Sequence, residues 1–65
     1  MNRELLVRKI DAAGIKYYKM AAELGLSRTG FALKLRGEND FKMGEITKIC
    51  SILKLNAAER DEIFF

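Results

Sequence analysis

The chain has 65 residues, 49% of them hydrophobic, with 12 basic and 9 acidic side chains and a formal net charge of +3. This length suits a single modest core, so we expect one domain over residues 1–65 with no second, ligand-sensing domain. One cysteine cannot form an intramolecular disulfide, which favours a reducing cytoplasm. We expect no membrane association, because no apolar run reaches the ~20 residues of a span and the first ten residues do not resemble a signal peptide.

The first two predicted helices both end at a glycine. Helix 1 is predicted over residues 3–13, after Asn2 as a candidate N-cap and before Gly14. Its apolar stripe consists of Leu6, Ile10 and Ala13. Helix 2 is predicted over residues 17–24 and is stopped by Gly25. Its stripe consists of Ile15, Met20, Ala21 and Leu24.

Ser27 precedes the third predicted helix, over residues 28–36, and its hydroxyl suits an N-cap. Phe31 and Leu35 lie four residues apart on one face, and Gly37 closes the helix. The following segment, GENDF, has the composition of a turn.

The last two predicted helices complete an all-α fold. Helix 4 is predicted over residues 43–54, and its stripe consists of Ile46, Ile49, Cys50 and Leu53. Helix 5 follows NAAE at residues 56–59, an Asn-based capping box, and includes Ile63 and Phe64. No segment alternates with period two for long enough to predict a strand. Because each helix has only two or three turns, we expect a compact bundle.

Charge is unevenly distributed along the chain. Residues 15–37 carry five basic side chains against one acidic side chain, whereas residues 56–65 carry one basic against three acidic side chains. The local balance is therefore +4 in the middle and −2 at the end. An acidic partner is expected to meet the middle of the chain.

A glycine turn joins helices 2 and 3 in the stretch MAAELGLSRTGFALKLRG, residues 20–37. Two short helices joined by such a turn form a helix-turn-helix. Gly25 adopts a positive φ at low cost, and the small Ala21 four residues earlier permits a close helix crossing. Leu26, next to the glycine, is expected to insert its side chain into the core and so anchor the turn.

This stretch resembles the helix-turn-helix of the phage Cro/repressor family, also called the lambda-repressor-like family. The family pattern is matched by Met20, Ala21, Gly25, Leu26 and Ser27. The segment GENDFKMGEITKIC is similar to the family's loop and fourth helix, so the resemblance covers nearly the whole chain. It implies a compact five-helix lambda-repressor-like DNA-binding domain, with the helix-turn-helix at helices 2 and 3.

The chain departs from the family pattern at three positions. Tyr17 stands where helix 2 often begins with Gln, which leaves one phosphate contact open. Gly30 lies inside the recognition helix, where glycine costs up to ~1 kcal/mol relative to alanine. Lys42 stands where many relatives have a Ser or Thr cap for helix 4, although Glu45 follows three residues later.

The resemblance implies that the start of helix 3 reaches the edges of DNA bases. Arg28 can donate two hydrogen bonds to guanine, and Thr29 can bond a base or present its methyl group to thymine. The alternative is an ordinary solvated first turn. Ala32 and Leu33 lie one turn further on, and Leu33 either touches a thymine methyl or packs in the core.

A second set of residues is expected along the flanks of the groove, in contact with phosphates. Such contacts supply affinity without sequence information. For the charged members the alternative is a solvated surface position, and for the two tyrosines it is a place at the edge of the core. The set consists of Lys16, Tyr17, Tyr18, Ser27, Lys34, Arg36 and Asn39.

Three further residues raise the questions of a redox role and of a dimer contact. Cys50 lies on the apolar stripe of helix 4, which favours a structural thiol over a redox sensor. Of Phe64 and Phe65, one is expected in the core and the other at a dimer contact, with completion of the monomer core by both as the alternative.

The function predicted from these features is that of a sequence-specific DNA-binding transcription regulator of the phage or prophage Cro type. It would act as a homodimer that occludes an operator. An enzyme is disfavoured because the chain has no histidine, no phosphate-binding glycine loop and no recognisable catalytic carboxylate pair. No metal, cofactor or small-molecule ligand is predicted. The alternative is a helical protein-binding module, such as an antirepressor or an antitoxin fragment.

Overall fold

Five helices and no strand make up the computed structural model, which describes all 65 residues. They are α1 (Arg3–Ala13), α2 (Tyr17–Glu23), α3 (Arg28–Leu35), α4 (Met43–Leu53) and α5 (Ala57–Phe64). The predicted all-α fold is confirmed. The predicted ends of helices 2, 3 and 4 were each one residue too long, because the last residue of each prediction is the C-cap.

The core draws on every helix. Nine buried apolar side chains form one cluster, from Leu6 and Ile10 of α1 to Ile63 of α5, with Phe31 of α3 among them. The remaining members are Met20, Ala21, Leu24, Leu35 and Ile49. Ala13, the last residue of the predicted apolar stripe of helix 1, is exposed and does not join the core. The chain turns just after it, and the longer Ile15 packs against the cluster instead.

Three of the predicted helix caps are confirmed. The Asn2 side chain accepts a hydrogen bond from the Leu5 N–H at 3.2 Å. The Ser27 hydroxyl accepts from the Gly30 N–H at 3.0 Å. Before α5, the Asn56 side chain accepts from the Glu59 N–H at 2.8 Å, and Glu59 accepts in return from the Asn56 N–H at 3.0 Å. These bonds satisfy backbone donors that the first helical turn leaves unpaired.

The bend between α2 and α3 is built on Gly25, which has φ +70°. Its N–H donates to the Ala22 carbonyl at 3.1 Å, and the Leu26 N–H donates to the Ala21 carbonyl at 2.9 Å. This pair of bonds is the Schellman motif, which requires a left-handed residue at this position. Ala21 is 2% exposed, so its small side chain lies in the core, as the predicted close crossing requires.

Gly25→Val is expected to lower the free energy of unfolding by more than ~1 kcal/mol, because a β-branched residue is strained at this φ. Nothing lies within 4 Å of a Cβ built at Gly25, so the cost arises from the backbone and not from a clash. Urea unfolding would measure it. Gly44→Val is the control for a generic glycine replacement, because Gly44 lies in α4 without a positive φ or a neighbour within 4 Å of its Cβ position. Equal stabilities of the Gly25→Val variant and the parent would contradict the prediction.

Candidate nucleic-acid interface

The exposed face of α3 begins directly after the Ser27 cap. Arg28, Thr29 and Ala32 are exposed, whereas Phe31 and Leu35 on the opposite face are buried. Leu33 is half-buried at the boundary. The amphipathic helix therefore directs a short polar row away from the core, and the four predicted base-contacting residues lie in or beside this row. Whether they touch bases stays a prediction.

The Arg28 guanidinium forms neither an ion pair nor a hydrogen bond within the protein. Its central carbon lies 5.9 Å from the centroid of the Tyr18 ring, a cation–π arrangement. Tyr18 is 56% exposed and lies in the first turn of α2. The first turns of α2 and α3 thus meet at the contact between Tyr18 and Arg28. No sequence motif predicts this contact.

Lys34 faces inward, towards α4. Its ammonium lies 2.6 Å from the Glu45 carboxylate, and both side chains are shielded, at 12% and 13% exposure. The same carboxylate oxygen accepts the Lys42 backbone N–H at 2.8 Å, so Glu45 caps α4 where Lys42 offers no acceptor. The sequence left the cap of α4 uncertain because Lys42 stands at the cap position, and this bond supplies the cap. The predicted phosphate contact by Lys34 is not tested, but its charge already has an internal partner.

Burial raises the pKa of Glu45, but the hydrogen bond from Lys34, the bond from the Lys42 backbone and the two positive charges outweigh it. The net pKa lies below the ordinary value. The carboxylate is therefore ionised at neutral pH, and its ion pair with Lys34 links α3 to α4.

The other predicted phosphate-contacting residues lie on the protein surface. Lys16, Ser27, Arg36 and Asn39 are all exposed. Arg36 pairs with Glu38 at 2.9 Å, but both side chains are more than half exposed, so this pair is readily exchanged for another anion. Tyr17 is 43% exposed, and its ring packs edge-on against Phe31 at 5.9 Å, so it lies at the edge of the core with one side open to solvent.

Gly30 has a local reason to be glycine. A Cβ at this position would lie 3.1 Å from the Ser27 Oγ, the atom that caps α3. The glycine gives that hydroxyl room to accept the Gly30 N–H. The low helix propensity of Gly30 is thus tied to the Ser27 cap. In the sequence, only the spacing Ser-x-x-Gly indicates this link.

The two C-terminal rings differ in burial, and the predicted dimer contact stays a prediction. Phe64 is half-buried and packs edge-on against Phe41 at 6.0 Å, and Phe41 in turn lies 6.2 Å from Phe31. Phe65 is 70% exposed. The alternative in which both rings complete the core is therefore wrong, because Phe65, the C-cap of α5, leaves most of its side chain in solvent.

Cys50 is half-buried, and burial raises the pKa of its thiol against a smaller opposing effect of Arg60. A raised thiol pKa lowers the thiolate fraction and with it the reactivity. No group of three or more His, Cys, Asp or Glu side chains is placed to hold a metal ion. None of the five helices has the length and apolar character that crossing a bilayer requires.

The geometry described above defines a helix-turn-helix DNA-binding domain: a capped recognition helix with an exposed polar row, held by a glycine turn against a second short helix. A family model for the Cro/C1-type HTH DNA-binding domain matches residues 6–59. The chain belongs to this family and is a DNA-binding transcription regulator. The resemblance inferred from the sequence is thereby confirmed. No curated protein and no solved structure matches the chain significantly.

Proposed function

We propose that this regulator recognises a specific operator and represses transcription by occluding it from RNA polymerase, as a phage or prophage Cro-type protein does. The observation that carries the proposal is the unpaired Arg28 guanidinium beside Thr29 on the exposed row of α3. An arginine with no ion pair or hydrogen bond inside the protein keeps its N–H donors available for guanine O6 and N7. The cytoplasm, where an operator would be encountered, is the proposed compartment.

Affinity is proposed to come from phosphate contacts around that row. Lys16, Arg36 and Asn39 supply exposed charge and hydrogen-bond donors, and the exposed Tyr17 and Ser27 supply hydroxyls. Lys34 is assigned a structural role instead, because releasing its ammonium from Glu45 would leave a shielded carboxylate without its partner.

Selection of bound sites from random double-stranded DNA tests the proposed function directly. We expect a defined consensus and an affinity that falls steeply with salt, since each phosphate-bound cation releases counterions. Lys16→Met is expected to reduce the salt slope by about 1, whereas Lys34→Met leaves the slope unchanged. Absence of any consensus together with a flat salt dependence would instead favour the protein-binding module.

The active species is proposed to be a homodimer that meets through the end of α5. A single module of this kind buries only ~600–1,000 Å² on DNA, which is small for a tight specific site. Phe65 supplies exposed apolar surface, and it lines one surface groove together with the half-exposed Met1. Two copies related by a two-fold axis would place their recognition helices ~34 Å apart, on a near-palindromic operator. The small apolar area suggests that the dimer forms mainly on DNA.

Phe65→Ala is expected to abolish cooperative binding to a full operator while it leaves half-site affinity and thermal stability at the parent values. The reason is that a ring 70% exposed contributes little to the monomer core. Gel-shift titrations of full and half operators measure the effect. Phe64→Ala is the contrasting variant, because it removes a half-buried ring from the Phe41 contact and lowers stability. Undiminished cooperativity of the Phe65→Ala variant would exclude this interface.

A further inference from the structure

The contact between Arg28 and Tyr18 joins the first turns of α3 and α2 at the proposed DNA-binding face. The guanidinium carbon lies 5.9 Å from the ring centroid, and both residues border one open groove together with Asp11 and Lys16. Arg28 has no other polar partner in the protein. The ring is therefore the one electrostatic partner of this side chain within the protein.

A cation–π contact leaves an arginine able to read a base. The guanidinium is planar and its N–H donors project from the edge, so attraction to a nearby ring does not use them. A long arginine side chain loses much rotamer freedom when it binds a base, and a contact already present in the free protein reduces that loss.

We propose that Tyr18 is a positioning residue that sets specificity at the base pair read by Arg28, through its ring and not through its hydroxyl. This inference rests on the proposed base contact of Arg28. It replaces the predicted phosphate contact by the Tyr18 hydroxyl, which would strengthen binding to all sequences alike. A cation–π contact at an exposed site corresponds to about a two- to fivefold change in an equilibrium constant.

Two substitutions separate the ring from the hydroxyl. Tyr18→Phe keeps the aromatic face and removes the hydroxyl, whereas Tyr18→Leu keeps an apolar side chain and removes the face. Because Tyr18 is 56% exposed, both variants are expected to fold, and thermal melting verifies this. In the DNA-free protein, NMR of the Arg28 side chain is expected to show ring-current-shifted Hδ protons in the parent and in Tyr18→Phe. In Tyr18→Leu that shift is lost.

The DNA measurement uses two operators. One is obtained by selection, and the other carries a different base pair at the position that Arg28 is proposed to contact. Tyr18→Leu is expected to reduce the ratio of the two affinities about two- to fivefold. Tyr18→Phe keeps the parent ratio, and discrimination at the other base pairs is unchanged in both variants. Equal weakening of all sequences by Tyr18→Phe would assign the hydroxyl to a phosphate and overturn the proposal.

The Arg28→Ala variant distinguishes failure of this proposal from failure of the base contact on which it rests. If Arg28→Ala loses discrimination while Tyr18→Leu keeps the parent ratio, Arg28 reads its base without help from Tyr18 and the positioning role is wrong. If Arg28→Ala itself keeps the parent ratio, the base contact is wrong, and the positioning role is overturned with it. An unshifted Arg28 spectrum in the free parent protein would likewise overturn the positioning role, whatever Arg28 does on DNA.

Discussion

Glu45→Ala is expected to lower the free energy of unfolding by about 2–3 kcal/mol, a large fraction of the stability of so small a domain. The substitution removes two hydrogen bonds made by one carboxylate oxygen, from the Lys34 ammonium at 2.6 Å and from the Lys42 backbone N–H at 2.8 Å. It also leaves the Lys34 ammonium, at 12% exposure, without a counter-charge. Urea unfolding at pH 7 measures the loss.

Glu38→Ala is the matched control for this prediction. Glu38 also pairs with a basic residue of the recognition-helix region, Arg36, but both side chains are more than half exposed. Removing such a surface partner is expected to change stability by no more than ~0.5 kcal/mol. A similar small effect for Glu45→Ala would show that the shielded pair with Lys34 does not hold α3 against α4.

The contribution of Glu45 to stability can also be measured from the pH dependence of the free energy of unfolding. Its pKa in the folded protein lies below the ordinary value of 4.5. The unfolded chain therefore binds the proton more readily, and the contribution of Glu45 is present above about pH 4.5 and is lost as the pH falls through the folded pKa. Glu45→Gln keeps the acceptor oxygen without the charge, so its stability curve is expected to lack this acid-dependent part. Glu59, whose pKa is lowered by its bond to Lys9, keeps its own contribution in both proteins.

Arg28→Ala is expected to cost about 1–3 kcal/mol of binding free energy on the selected operator and to relax discrimination at a single base pair. The side chain is exposed, follows the Ser27 cap and has only the Tyr18 ring as a partner, so its removal leaves the fold intact. Quantitative binding to a panel of operators with single base-pair changes measures both effects.

Arg36→Ala is the control for a basic residue of the same region. Its guanidinium is proposed to contact phosphate, so its loss is expected to weaken binding to every operator in the panel by a similar factor and to reduce the salt slope. If Arg28→Ala behaves in the same way, the base contact is wrong and Arg28 is a phosphate contact.

Features that depend on residues close together in the chain could be predicted from the sequence. Asn2, Ser27 and Asn56 cap their helices as predicted, because a cap is a bond between residues three positions apart. Gly14, Gly25 and Gly37 all have positive φ where helices end, for the same local reason. The apolar stripes identified the buried faces of α3 and α4, and the glycine turn with its flanking residues identified the DNA-binding family.

The tertiary structure alone decided which side chains meet across helices. Lys34 and Glu45 are 11 residues apart, and Arg28 and Tyr18 are ten apart, so neither pair follows from helical periodicity. Phe41 is a further example. It lies in a segment predicted only as a turn, yet it packs between Phe31 and Phe64.

The sequence by itself thus determined the helices, their ends to within one residue, and the family, because caps, glycine turns and amphipathic stripes act over one or two helical turns. Only the tertiary structure decided that Lys34 faces inward and Arg28 outward, although both are basic residues of the same helix. The physical reason is that a basic side chain is held by the nearest suitable partner. The packing of α4 brings a shielded carboxylate to Lys34, whereas the packing of α2 brings only an aromatic face to Arg28.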